Sequence, residues 1–425
     1  MNVCVDPKID CCGCGTCISV CPTVALSMRI KEDGELVPQI NEENCIYCGN
    51  CTSCCPQDHF IYKNYEGFVS DKVYMGSEMG CYNVQSKDKK LLRNSASGGF
   101  ITDLVSQLLE KKIYDCAFLV DNLSYGGCVK TTKVWNSKSV KKAAKSKYVQ
   151  VSHEEDIKYI LKNRDKKVIM VGTPCFVHGF IKVIEKYKLK RQNYLIIGLF
   201  CDSTMTQHVW QYFSMDVFGK GKIEYMFFKD KRNGGWPGNI TLLKDGKKYK
   251  FSNFERMNVK KYFMPESCLY CLDKLNMFAD FSVGDNYYGG KLHDKKGSSS
   301  IIIRTLIAKS IWNKERDIFY YNKIKFDNLA KSQKINDREI NLSFSYIKHN
   351  ELIDDSFVPP VISEEHYEEY KQKIEFIRIG REGQYEKIYQ DGAKQRKRIN
   401  LKVYKIASFF VNFYRMKKKQ RNGYE

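Results

Sequence analysis

The sequence predicts an α/β protein, with an α/β domain carried behind a small cysteine-rich N-terminal domain. Three observations lead there. Eleven of the 18 cysteines precede residue 56. Between residues 167 and 200, two uninterrupted apolar runs flank a helix-period segment, the pattern of a βαβ unit. Beyond about Asn322 the chain becomes charged and helical in character, with no catalytic constellation. The expected organisation is residues 1–60 for the first domain and 61–90 for an ordered linker rich in tyrosine and charge, including Tyr62, Tyr65, Tyr74 and Tyr82. Residues 91–315 then form the α/β domain, and 316–425 a charged helical C-terminal region. A chain of 425 residues fits two or three units at about 150 residues each.

The N-terminal domain is defined by a repeat. Cys11, Cys14, Cys17 and Cys21-Pro22 are followed by Cys45, Cys48, Cys51 and Cys55-Pro56. This is the spacing of a bacterial two-cluster ferredoxin and predicts a ferredoxin-like domain with two 4Fe-4S clusters. Three thiolates two residues apart wrap one face of a cubane, and Gly13, Gly15 and Gly49 let the backbone come close to it. The fourth cysteine of each run serves the other cluster. Cluster one is therefore expected to use Cys11, Cys14, Cys17 and Cys55, and cluster two Cys45, Cys48, Cys51 and Cys21. Zinc prefers two separated CxxC pairs, and a cytosolic chain does not keep disulfides. Cys12 and Cys54 break the rhythm and read as spare thiols beside the clusters.

Apolar and charged fractions of 43% and 28% are those of an ordinary globular protein. The N-terminus shows no signal or transit pattern, and the apolar stretch Ile406 to Tyr414 is far shorter than the roughly 20 residues that span a bilayer. A cytoplasmic protein is expected. The formal charge of +21 predicts a basic surface even after the negative charge of the clusters is counted. Aromatic content is 13%, yet no motif interleaves aromatic and basic residues as nucleic-acid binding requires. From Lys394 to Arg421, basic residues alternate with an apolar set, Leu401, Val403, Tyr404, Ile406, Phe409, Phe410, Phe413 and Tyr414. That is a basic amphipathic helix, suited either to the anionic inner face of a membrane or to docking on its own protein.

Taken in order, the α/β domain opens on Arg93 to Phe100, with Ser97 placed to cap a helix whose apolar face is Phe100, Ile101, Leu104, Val105, Leu108 and Leu109. Gly98 and Gly99 at its first turn would let a phosphate reach free backbone amides, although a capped helix without a ligand fits equally. Ile113 to Val120 reads as a strand, and Cys116 and Cys128 as small buried hydrophobes. Ser146-Lys147-Tyr148-Val149-Gln150 precedes a charged helical segment ending near Asn163. Lys167–Val171, Phe176–Tyr187 and Tyr194–Phe200 are the βαβ unit, so Gly172-Thr173-Pro174-Cys175 and Cys201-Asp202 lie at the carboxyl ends of neighbouring strands. With Cys268 and Cys271 they make a four-thiolate set. On residues alone a third cluster, a structural zinc, and a redox CxxC with two unrelated core cysteines all fit. Asn239–Leu243 and Lys248–Phe251 form a hairpin around Asp245-Gly246. Strands follow at Ala279–Val283 and Ser299–Thr305, and a helix at Leu306–Trp312. Asp285, in a glycine-bounded loop, suits a ring nitrogen, a ribose or an ordinary turn.

Six short motifs in this order, Arg93-Asn-Ser-Ala-Ser-Gly-Gly, Ser146-Lys-Tyr-Val-Gln, Gly172-Thr-Pro-Cys175, Leu199-Phe-Cys201, Cys268-x-x-Cys271 and Gly284-Asp285, resemble the family of coenzyme F420 hydrogenase/dehydrogenase beta subunits over residues 1 to about 310. The resemblance implies an iron–sulfur flavoprotein oxidoreductase with FAD in the α/β domain, a third 4Fe-4S cluster beside it, and hydride exchange with a deazaflavin. It implies that Ser97, Gly98, Gly99, Lys147, Tyr148, Thr173, Pro174 and Asp285 lie near the flavin, and that Cys175, Cys201, Cys268 and Cys271 hold the cluster. Clusters move single electrons whereas organic acceptors take hydride, and a flavin converts between the two. The expected partner is a redox protein or a small hydride acceptor. The alternative is an electron-transfer subunit serving a separate catalytic partner. Two departures bear on the substrate face: Asp202-Ser-Thr-Met stands where the family is often glycine-rich, and Asn286-Tyr287-Tyr288 where it often has Phe-Trp. Relatives in bacteria without the deazaflavin imply a link to polysaccharide synthesis instead.

Overall fold

The computed structural model describes residues 11–57, 75–121, 129–210, 223–269, 271, 273–289 and 294–335, with residues 3, 213 and 372 singly. Cys128, most of the tyrosine-rich connection and the basic tail expected at 394–421 lie outside them.

The N-terminal domain is a β-hairpin, β1 (Leu26–Ile30) and β2 (Leu36–Ile40), flanked by two one-turn helices, α1 (Thr16–Ser19) and α2 (Asn50–Ser53). The helices begin on Gly15 and Gly49, both left-handed with φ near 77° and 71°. A side chain there would be strained, and this is where the doubled motif needs glycine.

The α/β domain is built on an eight-stranded mixed sheet. The strands are β3 (Gly80–Ser86), β4 (Cys116–Val120), β5 (Thr131–Val134), β6 (Val168–Gly172), β7 (Tyr194–Leu199), β11 (Phe281–Asp285), β12 (Ser299–Ile303) and β13 (Phe319–Ile324), in the order β13-β3-β12-β11-β7-β6-β4-β5. β4, β6, β7 and β11 are mutually parallel at its centre. A separate three-stranded sheet contains β8 (Ile223–Asp230), β9 (Asn239–Lys244) and β10 (Lys247–Phe251).

Both faces of the central strands are covered, which is why they read as unbroken apolar runs. Ile169, Val171, Leu195 and Ile197 pack on one side with Phe100 and Leu104 of helix α3 (Phe100–Glu110). Val168, Met170, Tyr194 and Ile196 pack on the other with Phe176 and Phe180 of helix α4 (Pro174–Lys186).

Three expectations change. β3 falls inside the stretch read as a linker, yet it runs through the sheet between β12 and β13, with Cys81 and Val84 buried. β13 is a strand where a helical region was expected. It is an edge strand exposing Tyr320 and Tyr321, so its sequence lacks a buried stripe and only pairing with β3 specifies it. Ser97 does not cap α3. The N-cap is Gly99 at φ 83°, and the Ser97 hydroxyl donates to the Ser298 carbonyl oxygen at 2.6 Å.

Candidate metal centres and the neighbouring crevice

The crossed pairing of the cysteine repeat has a counterpart in two cavities. One is lined by Cys11, Cys14, Cys17 and Cys55, with Cys12 and Pro56. The other is lined by Cys21, Cys45, Cys48 and Cys51, with Ile46 and Tyr47. Each cavity thus takes three cysteines from one run and the fourth from the other. An all-thiolate lining suits a soft, multi-iron centre. Among the described residues, no group of three or more His, Cys, Asp or Glu is gathered as for a single metal ion.

The first cavity faces the α/β domain. The His153 amide donates to the Cys14 carbonyl oxygen at 2.9 Å, and the Leu36 amide to Gln150 Oε1 at 2.8 Å. The Ser19 hydroxyl donates to the Glu154 carbonyl oxygen, and Lys182 Nζ to that of Cys55 at 2.7 Å. The Glu266 amide donates to Glu35 Oε1, tying the turn that bears Cys268 to the hairpin. The ferredoxin-like domain is therefore docked with one cavity inward.

At that junction hydrogen-bonding neighbours Cys14 and Cys175, together with burial, push the Cys12 thiol well above its ordinary range. The bond from Cys12, with help from the Thr16 hydroxyl and amide, outweighs burial and holds the Cys14 thiol down to about 6. Cys175 is lowered for the same first reason, with Thr173 Oγ1 also 3.2 Å from its sulfur. Cys12, read as a spare thiol, thus links the inner cysteine loop to the strand-end set.

The cysteines of that second set lie within electrostatic reach of Cys201. Burial pushes the Cys201 thiol well up, and charges at Cys268, Cys175 and Cys271 push it further. A buried thiol whose proton affinity is raised by its thiol neighbours fits a site whose metal would offset that repulsion. Thr173 and Pro174, expected beside a flavin, are the N-cap and first residue of α4 and accompany Cys175.

Of the remaining expected residues, Lys147 is buried and donates to the Ala143 carbonyl oxygen, while Ser97 lies beside Asp285. Burial raises this carboxyl, but the ion pair with Lys229 and a bond from the Trp236 indole nitrogen more than compensate, holding it below the usual carboxylate range. Tyr287 Oη also donates to it, at 3.3 Å. Lys231 Nζ donates to the carbonyl oxygens of Ser97, at 2.5 Å, and Lys296. Burial brings both Lys231 and Lys147 down to about 7. Tyr148 meets Phe228 edge-on at 5.9 Å, with the Arg256 guanidinium 4.5 Å over its ring. Arg256 Nε is buried without a hydrogen-bond partner among the described residues.

Gly98 and Gly99 sit in tight surroundings. A methyl at Gly98 would strike the Val84 carbonyl oxygen and the Ser299 amide, and one at Gly99 would lie 2.9 Å from Leu91. Their missing side chains admit neighbouring protein.

The sequence assigned no role to Lys229, Lys231, Trp236 or Arg256, and marked Tyr287 only as a departure from the family. The available signal was a pair of lysines flanking Asp230 directly after Phe227-Phe228, both of which are buried. Among the described residues no helix is long and apolar enough to cross a membrane.

A dicluster cysteine module docked on an α/β domain with a further thiolate set defines an iron–sulfur redox protein. Residues 10–59 match a 4Fe-4S dicluster domain, residues 81–157 the N-terminal part of the coenzyme F420 hydrogenase/dehydrogenase beta subunit, and residues 165–326 its C terminus. The chain belongs to that family of beta subunits. It is 26% identical over 332 residues to a coenzyme F420-dependent sulfite reductase of Methanocaldococcus jannaschii, an alignment covering 74% of this chain and 47% of that protein. This chain thus matches less than half of that relative. With a subunit of the F(420)H(2) dehydrogenase of Methanosarcina mazei it shares 23% over 318 residues, 72% of this chain and 82% of that one. Its fold is similar to a chain of the F420-reducing NiFe hydrogenase complex from Methanosarcina barkeri, with a TM-score of 0.50 and 18% identity, covering 67% of this chain and 94% of that one.

Proposed function

We propose that this chain is an FAD-dependent iron–sulfur oxidoreductase that passes electrons between its ferredoxin-type clusters and a hydride acceptor, the deazaflavin named in its relatives. The observation that carries this reading is the set of basic and aromatic side chains on Asp285, with Lys229, Trp236 and Tyr287 all bonded to its carboxylate, in the same domain as the strand-end cysteines. FAD, when bound, would supply exchange between single electrons and hydride.

The chain's own residues would hold it. Lys147 and Lys231 are buried cations that a pyrophosphate would favour in their charged form. Trp236, Tyr148 and Tyr287 offer flat apolar surface, and the ionised Asp285 can accept a bond from a ring nitrogen or hydroxyl. Cys175, Cys201, Cys268 and Cys271 would hold a third cluster between this crevice and the ferredoxin domain. Neither the site nor the relatives named above supports the polysaccharide link, so the reading stops at the deazaflavin. Anaerobically purified, reconstituted protein should show flavin absorbance and release FAD on denaturation. Protein that carries iron but takes up no FAD would overturn the proposal.

A second reading is favoured by the outer cysteine loop, where Cys48, Ile46 and Tyr47 face solvent. Here the chain is the electron-transfer component of a complex, and a partner protein meets that loop. Purified chain that reduces a deazaflavin from a chemical one-electron donor without a partner favours the first reading over the second.

A further inference from the structure

We infer that Asn276, supported by the Asp273–His178 pair, positions the ligands of the third cluster, an inference that rests on reading Cys175, Cys201, Cys268 and Cys271 as one site. The four thiols come from three separate segments, so something must fix those segments before metal arrives. Strands β6 and β7 end at Gly172 and Leu199, just before Cys175 and Cys201. The buried Asn276 side chain lies across both ends, its Nδ2 donating to the Gly172 carbonyl oxygen at 3.0 Å and to that of Leu199 at 3.3 Å. One amide nitrogen therefore fixes the separation of the two strand ends.

The third segment is tied in by the same loop. Asp273, two residues past Cys271, accepts from His178 Nε2 at 2.9 Å, and His178 sits on α4 one turn after Cys175. The Asp273 carboxylate also accepts from the Met277 amide, and the Cys201 amide donates to the Lys274 carbonyl oxygen at 2.9 Å. The loop 273–277 is thus joined to α4, to both strand ends and to the chain leaving the CxxC pair.

Two features show that the fold makes room for this arrangement. Asn276 adopts φ 56°, a left-handed conformation that asparagine tolerates better than most residues. Gly198 of β7 lacks a side chain where a methyl would overlap the Asn276 amide. None of Asn276, Asp273 or His178 supplies sulfur, so they act through the ligands. Groups that orient metal ligands typically affect metal retention by about 10–100-fold.

The test compares iron and acid-labile sulfide per chain, and the EPR spectrum and potentials of the reduced protein, after anaerobic purification. Wild type should carry about twelve irons, as three four-iron clusters. Asn276→Asp replaces the shared donor with a carboxylate facing two carbonyls, and Gly198→Ala displaces the amide from the neighbouring strand. Both should fall to about eight irons, with the ferredoxin-type EPR signals retained as proof of folding. His178→Gln, which can still donate to Asp273, should keep the third cluster at a shifted potential, whereas His178→Phe should lose it. Unchanged iron, EPR and potential in the Asn276 and Gly198 variants would overturn the inference, as would loss of all iron, which contradicts a local role. A wild type with about eight irons would instead sink the cluster reading on which the inference rests.

Discussion

The two cysteine loops share one spacing and face opposite environments. The first, around Cys14 and Cys17, is pressed against the α/β domain, with Gly15 under Ser152 and Cys12 reaching Cys175. The second exposes Cys48, Ile46 and Tyr47, and a methyl built on Gly49 meets nothing within 4 Å. The repeat specifies ligands, while docking decides which cluster is inner and which outer. On the proposed function, electrons enter or leave by the second loop and pass inward through the first.

Gly15 and Gly49 give the sharpest contrast, because their backbones are alike and only their surroundings differ. Gly49→Ala should cost about 1–2 kcal/mol, the strain of a left-handed alanine. Gly15→Ala adds overlap with Ser152, and by the scale of overpacked sites should cost about 1–3 kcal/mol more. Denaturant unfolding of the two variants measures the gap, and equal losses would mean that the inner loop is not docked as described.

The contrast should recur, more weakly, in two glutamine bonds. Gln150→Ala leaves the buried Leu36 amide without its acceptor and should cost about 1–3 kcal/mol. Gln39→Ala removes an exposed bond to Ser27 and should change stability by less than about 0.5 kcal/mol. Faster hydrogen exchange across residues 11–57 in the first variant alone would locate the loss at the docking face.

The inner side also differs in charge. Burial lowers Lys147 from the ordinary 10.5 to about 7. Between about pH 7 and 10.5 the unfolded chain therefore holds more protons than the folded one, and stability rises with pH across that window. Lys147→Met should flatten the rise and make the protein free of cofactor more stable near pH 7, as read from chemical denaturation at several pH values. Lys231, depressed in the same way, keeps a residual slope. At the outer loop, Ile46→Ser should leave stability within about 0.5 kcal/mol of wild type while slowing electron exchange with a partner protein, which stopped-flow mixing detects.

Much of this was legible in the sequence where the signal is local. The repeat gave the crossed cysteine sets, unbroken apolar runs gave β6, α4 and β7, and Asp245-Gly246 gave the β9–β10 turn, with both residues at positive φ. Long-range features were not legible. β3 alternates too weakly to be distinguished from a linker until β12 and β13 pair with it. Ser97 precedes an amphipathic helix as a cap would, yet it bonds across to Ser298, 201 residues later in sequence. Asn276 carries no motif, because its role exists only once two strand ends lie side by side.

On the proposed function, the ferredoxin-type clusters, a third cluster and a flavin form one electron path. A reductive titration of anaerobically reconstituted protein tests it most directly. Uptake of about five electrons per chain, one for each of three clusters and two for the flavin, with bleaching of flavin absorbance, is the predicted result. An end point near two electrons, with no flavin bleached, would contradict it.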